Sequence, residues 1–141
     1  MKRRYDSPAM RFVVPVDGDP ASQDCVGFVP NLIDAPLAHK ARLVWMKPGA
    51  FLDLVDPHFE PLPSSIEWLR EAAAAGRCFA PLLVWPDAER WVPRESGQVG
   101  VLPHEGRNRA WLARELGVER VPVLIMRRMP EHWTRRQWRT P

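Results

Sequence analysis

The sequence of 141 residues contains only two cysteines, Cys25 and Cys78, which stand far apart. They form no CxxC pair and no zinc-ligand spacing, and two cysteines are too few for the disulfide framework of a small secreted domain. No run approaches the roughly 18 apolar residues of a membrane span. The basic start, MKRRYDSPAM, is not followed by the apolar stretch of a signal peptide. We therefore expect a cytoplasmic protein that makes no contact with a membrane and has no structural disulfide.

Three common catalytic signatures are also missing from the sequence. There is no nucleophile elbow, no Walker phosphate loop and no HExxH metal motif. Apolar residues nevertheless make up 45% of the chain, which predicts a globular protein, and the length suits one domain. We expect an irregular N-terminal arm over residues 1–41, a folded domain over 42–126 and a basic tail over 127–141.

The order of apolar segments predicts an α/β fold, because strands alternate with helices. Ser64 and Glu67 have the spacing of a capping box, so a helix should begin there, bury Ile66, Leu69 and Ala73, and end at Gly76. A second helix is expected over Arg107–Leu116. The expected strands are Arg42–Met46, Pro81–Trp85, Gln98–Leu102 and Val121–Met126, with an edge strand near Arg11–Val16.

The segment His104–Ala110, HEGRNRA, has the composition of an anion site. It joins a predicted strand to a predicted helix, and a helix start offers unpaired N–H groups and the positive end of the helix dipole. Gly106 would let an anion approach the backbone closely, and Arg107 and Arg109 could add charged hydrogen bonds to phosphate. Because Arg109 falls on the apolar side of the helix, it needs a partner. That partner is either a ligand phosphate or an acid such as Glu67 or Glu71.

Several of these motifs occur in an order that resembles the ParB/sulfiredoxin superfamily. The matching pieces lie within residues 43–126 and are Ser65–Gly76, Pro81–Val84, Gly106–Ala110, Leu116–Val118 and Val121–Val123. The resemblance implies a compact domain with a small mixed sheet flanked by helices. It also implies that Gly106, Asn108 and Arg109 contact the phosphates of ATP or CTP. The HEGRNRA form is similar to small ParB-like proteins of phages and mobile elements.

The chain departs from this superfamily at Arg107. Sulfiredoxins carry their catalytic cysteine at that position and ParB partition proteins carry a glutamate, so neither sulfinic acid reduction nor the ParB CTP clamp is implied. Partition proteins also continue into a helix-turn-helix domain. Since 15 residues follow Met126, we expect no such domain here.

His104 and Glu105 flank the predicted anion site, and each has two interpretations. Either could act as a general acid or base, and Glu105 could help to hold Mg²⁺ against a phosphate. Alternatively, both are exposed loop residues that orient the turn. The first reading predicts a Mg²⁺-dependent ATPase, CTPase, phosphotransferase or nuclease. The second is compatible with a non-catalytic module that binds nucleic acid or a host protein.

The tail is basic and rich in tryptophan. It contains Arg127, Arg128, Arg135, Arg136 and Arg139. Arginine interleaved with tryptophan can grip phosphates and stack bases, which predicts binding to nucleic acid. The alternative is a solvated terminal segment whose tryptophans pack back on the domain.

Overall fold

The computed structural model describes residues 9–13, 25–27, 41–86 and 101–126. These parts of the chain form a small α/β fold, as the alternation of strands and helices predicts. In chain order the elements are β1 (Arg11–Phe12), β2 (Arg42–Met46), α1 (Pro48–Val55), α2 (Pro63–Ala74), β3 (Cys78–Phe79), β4 (Leu82–Val84), β5 (His104–Glu105), α3 (Arg107–Glu115) and β6 (Val121–Ile125).

Within the described residues, the main sheet has four strands in the order β2-β6-β4-β5. Strand β6 runs antiparallel to β2 and parallel to β4, whereas β5 runs antiparallel to β4. The parallel β4–β6 pair is joined through β5 and α3, so α3 leaves the edge of the sheet and packs against α1 and α2. This topology places the start of α3 directly after the edge strand β5.

A second, smaller sheet ties the N-terminal region to the domain. Strand β1 pairs in parallel with β3, and Val26 forms a further parallel bridge to Phe79. Met10 and Val26 are both buried in the core. The region predicted as an irregular arm therefore contributes a strand and two buried residues to the folded unit.

The core lies between the main sheet and the three helices. Its fully buried side chains include Phe51, Leu82, Leu112, Val121 and Val123. On α3 the buried positions are Arg109, Ala110, Leu112 and Ala113, which confirms the predicted inward face. The predicted helix over residues 107–116 is also confirmed to within one residue.

The predicted capping box at Ser64 is wrong. Helix α2 begins one residue earlier, at Pro63, with Leu62 as its N-cap and no side-chain cap hydrogen bond. Proline suits this first position because its ring fixes φ near the helical value. It lacks an N–H group, but an N–H at this position would have no acceptor within the helix. Ser64 is therefore inside the helix. The buried face uses Ile66, Leu69 and Ala72, whereas Ala73 is only half-buried.

Of the strand expected over Gln98–Leu102, residues 98–100 lie outside the described residues, and Val101 forms a single β-bridge. The strand that pairs with β4 is β5, which begins two residues beyond Leu102. His104 pairs with Val84, and Glu105 pairs with Leu83. The interpretation of His104 and Glu105 as exposed loop residues is thus wrong, because both lie in a strand and His104 is buried.

None of the helices within the described ranges is long and apolar enough to cross a membrane.

Candidate functional site

A cavity of about 640 Å³ opens where the N-terminal segment, α2 and α3 meet. This volume is within the range of small-molecule sites, about 300–1,000 Å³. Its walls are Val26, Gly27, Ser64, Ser65, Trp68, Leu69, Val101, His104, Glu105, Gly106, Arg107, Asn108 and Arg109. The six consecutive residues 104–109, of which two were predicted as catalytic and four as phosphate-binding, thus all line one cavity.

Two helices begin at this cavity without a side-chain cap. Helix α3 has Gly106 as its N-cap and α2 has Leu62, and neither N-terminus donates an N–H hydrogen bond to a capping side chain. The first intrahelical bond of α3 runs from the Ala110 N–H to the Gly106 carbonyl oxygen. The N–H groups of the three residues before Ala110 thus have no backbone acceptor within the described residues. Two positive helix ends and several unpaired donors make this wall favourable for an anion.

Arg109 is buried beneath that wall, and four of its five N–H donors bond to the protein. Its Nη1 and Nη2 atoms donate to the two carboxylate oxygens of Glu105 at 2.9 and 2.7 Å. Its Nε atom donates to the Ala80 carbonyl oxygen at 3.2 Å, and Nη2 also donates to that of Pro81 at 2.9 Å. Arg109 is thus paired with an acid, but the acid is Glu105 rather than Glu67 or Glu71.

Position 106 requires glycine for two reasons: its backbone has a positive φ, and the Arg109 side chain lies close beside it. Its φ is +112°, and a Cβ built there would lie 2.5 Å from Leu82 Cδ2 and 2.8 Å from Arg109 Nη2. Gly27, with φ of +110°, faces the same guanidinium, since a Cβ there would lie 2.5 Å from Nη1. The expectation that Gly106 leaves space for an anion is therefore corrected: that space is filled by Leu82 and Arg109.

Arg107 and Asn108 are closer to solvent. Arg107 donates from Nη1 to Asp56 Oδ2 at 2.8 Å, and its guanidinium lies 4.7 Å from the centre of the Phe59 ring. Its side chain is 45% exposed, so this pair is a surface contact that holds α3 against the α1–α2 connection. Asn108 is half-buried and has no side-chain hydrogen bond within the described residues. Of the predicted phosphate ligands, it is the side chain most available to a ligand.

His104 lies in the cavity wall in a defined tautomer. Its Nδ1 atom is 2.6 Å from the Leu102 carbonyl oxygen, and because that oxygen can only accept, Nδ1 carries the hydrogen. The ring also meets Phe51 edge-on, with the ring centres 6.2 Å apart. Burial lowers the pKa of His104 below its usual value. The imidazole is therefore neutral at pH 7, with Nε2 as its basic nitrogen.

Glu105 is poorly placed to hold a metal by itself. Both of its carboxylate oxygens accept hydrogen bonds from Arg109, so a cation would have to compete with that ion pair. Among the described residues, no three His, Cys, Asp or Glu side chains are grouped as a metal site.

Seven wall residues were not predicted as site residues, and Ser64, Ser65 and Trp68 are three of them. Ser64 was expected only to cap a helix. Trp68 is 53% exposed although it is large and apolar. A tryptophan outside the buried stripe of an amphipathic helix is the sequence signal that could have identified it.

The predicted nucleic-acid contacts in the tail (Arg127, Arg128, Arg135, Arg136 and Arg139) lie outside the described residues. Comparison with known proteins found no matching family model, no curated relative and no similar solved structure.

Proposed function

We propose that this protein binds a nucleotide in the cavity, with a phosphate group at the N-terminus of α3. The observation that carries the proposal is the uncapped start of α3, whose unpaired N–H groups border a cavity of about 640 Å³. Phosphate is the common biological anion that matches several converging N–H donors at a helix start. Asn108 adds an amide donor beside them, and the start of α2 adds a second positive helix end.

Trp68 supports a nucleotide rather than inorganic phosphate. Its ring is half-exposed at the cavity wall, one helical turn from Ser64 and Ser65. An aromatic ring in this position offers a stacking surface to a base, which is worth about 1–3 kcal/mol per base. The two hydroxyl groups offer donors and acceptors to a ribose or a second phosphate.

Arg109 has a supporting role in this proposal. Four of its five N–H groups already donate to Glu105 and to two backbone carbonyl oxygens, so at most one is left for a ligand phosphate. We therefore assign the phosphate contacts to Asn108 and to the backbone N–H groups of residues 107–109. Arg109 and Glu105 hold the turn that presents them.

The resemblance to the ParB/sulfiredoxin superfamily supports ATP and CTP as the nucleotides to test. We also propose that the protein is cytoplasmic and of the phage or mobile-element type. The arginine-rich tail is proposed to bind nucleic acid.

Phosphate chemistry is the second candidate, and His104 favours it. A neutral imidazole in the cavity wall, with Nδ1–H held by a carbonyl oxygen, has the protonation state of a general base. It could serve an ATPase, a CTPase, a phosphotransferase or a nuclease. Because Arg109 occupies both Glu105 oxygens, Mg²⁺ in such a reaction would be held chiefly by the nucleotide phosphates.

Calorimetric titration with ATP and CTP, with and without Mg²⁺, tests the binding proposal. Asn108→Asp places a carboxylate at the helix start, which favours the helix dipole by about 0.3–1 kcal/mol but repels a phosphate. We therefore expect this variant to melt no lower than the wild type and to lose binding at least tenfold. Asn108→Ala should lose less, and Arg70→Ala, an exposed change on α2 outside the cavity, should bind normally.

Release of phosphate from ATP or CTP, and nicking of plasmid DNA, separate the two candidates. Turnover that is lost in His104→Gln while nucleotide affinity is kept would support the enzyme. Binding without turnover would leave the binding module as the function.

A further inference from the structure

The structure places the two cysteines side by side, although 52 residues separate them in the sequence. Val26 forms a parallel bridge with Phe79, and the backbone bonds of that bridge are well formed. The Val26 N–H donates to the Cys78 carbonyl oxygen at 2.9 Å, and the Ala80 N–H donates to the Val26 carbonyl oxygen at 2.9 Å. Because the Val26 N–H bonds to the Cys78 carbonyl oxygen, the backbone of Cys25 lies beside that of Cys78.

Both cysteines precede a buried residue. In β3, Phe79 is buried, so Cys78 points to the opposite face because side chains alternate along a strand. Val26 is buried as well, and Cys25 lies in the bend just before it. Cys25 and Cys78 are both half-exposed. They are therefore accessible to a small thiol reagent.

Their spacing is compatible with a disulfide. Neighbouring strands lie about 4.7–4.9 Å apart, and disulfide-bonded residues have Cα–Cα distances of about 4.4–6.8 Å. The Cβ atoms of a disulfide lie about 3.8 Å apart, so closure needs a shift of about 1 Å toward β3. Cys25 lies in a bend next to the single bridge at Val26 and outside the strands of the sheet.

We propose that Cys25 and Cys78 form a reversible intramolecular disulfide by exchange with a small-molecule disulfide such as oxidised glutathione. One cysteine thiolate attacks the glutathione disulfide, which gives a mixed disulfide and releases one reduced glutathione. The second thiolate attacks the protein sulfur of that mixed disulfide and releases the other. The two protons of the cysteines end on the two glutathione thiols, and the protein pair is oxidised by two electrons.

The bond would fix one wall of the cavity. Residues 25–27 are held to β3 by the Val26 bridge, and Gly27 packs on the Arg109 guanidinium. A covalent link at Cys25 fastens the same segment to the domain. This inference does not depend on which ligand the cavity binds.

The test uses the full chain incubated with oxidised glutathione and then denatured. We expect the loss of both titratable thiols, loss of the mass of two hydrogen atoms, and a Cys25–Cys78 linked peptide in a non-reducing digest. The melting temperature should rise by about 5 °C or more, since the bond closes a long loop. It should fall back to the value of the reduced protein when dithiothreitol is added.

Cys25→Ser and Cys78→Ser are the matched controls. Each has a single cysteine, so each should stop at the mixed disulfide and gain the mass of one glutathione. A wild-type protein that keeps two thiols, carries two glutathione adducts or forms only linked dimers would overturn the proposal. Each of these three outcomes is read on the wild type, whether or not the variants fold.

Discussion

At the scale of single residues, Arg109 forms more hydrogen bonds to the protein than any other charged side chain within the described residues. It makes four hydrogen bonds to three residues, and two glycines leave the room for its guanidinium. A buried guanidinium is tolerated only when its donors are satisfied, and the bidentate contact to Glu105 supplies the opposite charge. The pair thereby holds the β3–β4 connection, β5 and α3 together.

We predict that Arg109→Ala destabilises the fold by about 3 kcal/mol, because it leaves the Glu105 carboxylate and two carbonyl oxygens without their partner. Denaturant unfolding measures the loss. Arg107→Ala is the matched control on the same helix, since its exposed ion pair with Asp56 should contribute at most about 1 kcal/mol. Equal losses in the two variants would contradict the structural role of Arg109.

His104 links stability to pH. Its pKa in the folded state is lowered by burial, whereas the unfolded chain has the usual value near 6.5. Between the lowered pKa and 6.5 the unfolded state binds more protons, so stability rises with pH in that window. The contribution is therefore fully present above about pH 6.5 and is lost as the pH falls below it.

We predict that the wild type loses free energy of unfolding between pH 7.5 and about pH 5 faster than His104→Gln does. Denaturant melts of both proteins over this range give the comparison. Parallel curves would mean that the folded protein does not suppress protonation of His104.

At the scale of elements, the turn from β5 to α3 is the feature on which the site depends. It requires a positive φ at Gly106, and the space beside that residue is filled by Leu82 and Arg109. Any side chain there is strained by the backbone conformation and also displaces its neighbours. The start of α3 is thereby fixed relative to the sheet.

We predict that Gly106→Ala destabilises the protein clearly more than Gly76→Ala does. Both glycines have positive φ, so each change costs about 1–2 kcal/mol in backbone strain. A Cβ at Gly76 meets nothing within 4 Å, whereas one at Gly106 meets Leu82 and Arg109. Thermal melts that show equal losses would contradict the crowding at Gly106.

The helices and strands were largely predictable because the spacing of apolar residues and the glycines and prolines at element ends are local signals. The strand Arg42–Met46 and the helix that starts at Arg107 were found in this way, and so was the strand at Val121. The capping box failed because Pro63, one residue earlier, competes for the helix start. The partner of Arg109 could not be predicted, because Glu105 reaches it only through the left-handed turn at Gly106. The bridge at Val26 is a long-range pairing that no local pattern encodes.

At the scale of the whole molecule, the cavity is an assembly of distant segments. Val26 and Gly27 come from the N-terminal region, four residues (Ser64, Ser65, Trp68 and Leu69) from α2, and the other wall residues from the segment 101–109. The sequence predicted the α3 part of this site. It could not predict that the starts of two helices meet at one cavity.

The proposed binding of nucleic acid by the basic tail also concerns the whole molecule. We predict that deleting residues 127–141 lowers affinity for single- and double-stranded DNA at low salt and makes the remaining binding less dependent on salt. The reason is that each phosphate neutralised by an arginine releases condensed counterions. A variant with the five tail arginines changed to glutamine should behave like the deletion. Unchanged binding in both proteins would exclude the tail as the contact.

The central claim, a phosphate at the start of α3, is tested most directly by an NMR titration of the ¹⁵N-labelled protein with ATP and CTP. We expect saturable shifts of the backbone N–H signals of Arg107, Asn108 and Arg109, and of the Trp68 indole, with the N–H signal of Gly76 unchanged. Inorganic phosphate should move the first three signals but not the indole. If nucleotide at millimolar concentration with Mg²⁺ leaves the three N–H signals in place, the phosphate site is wrong.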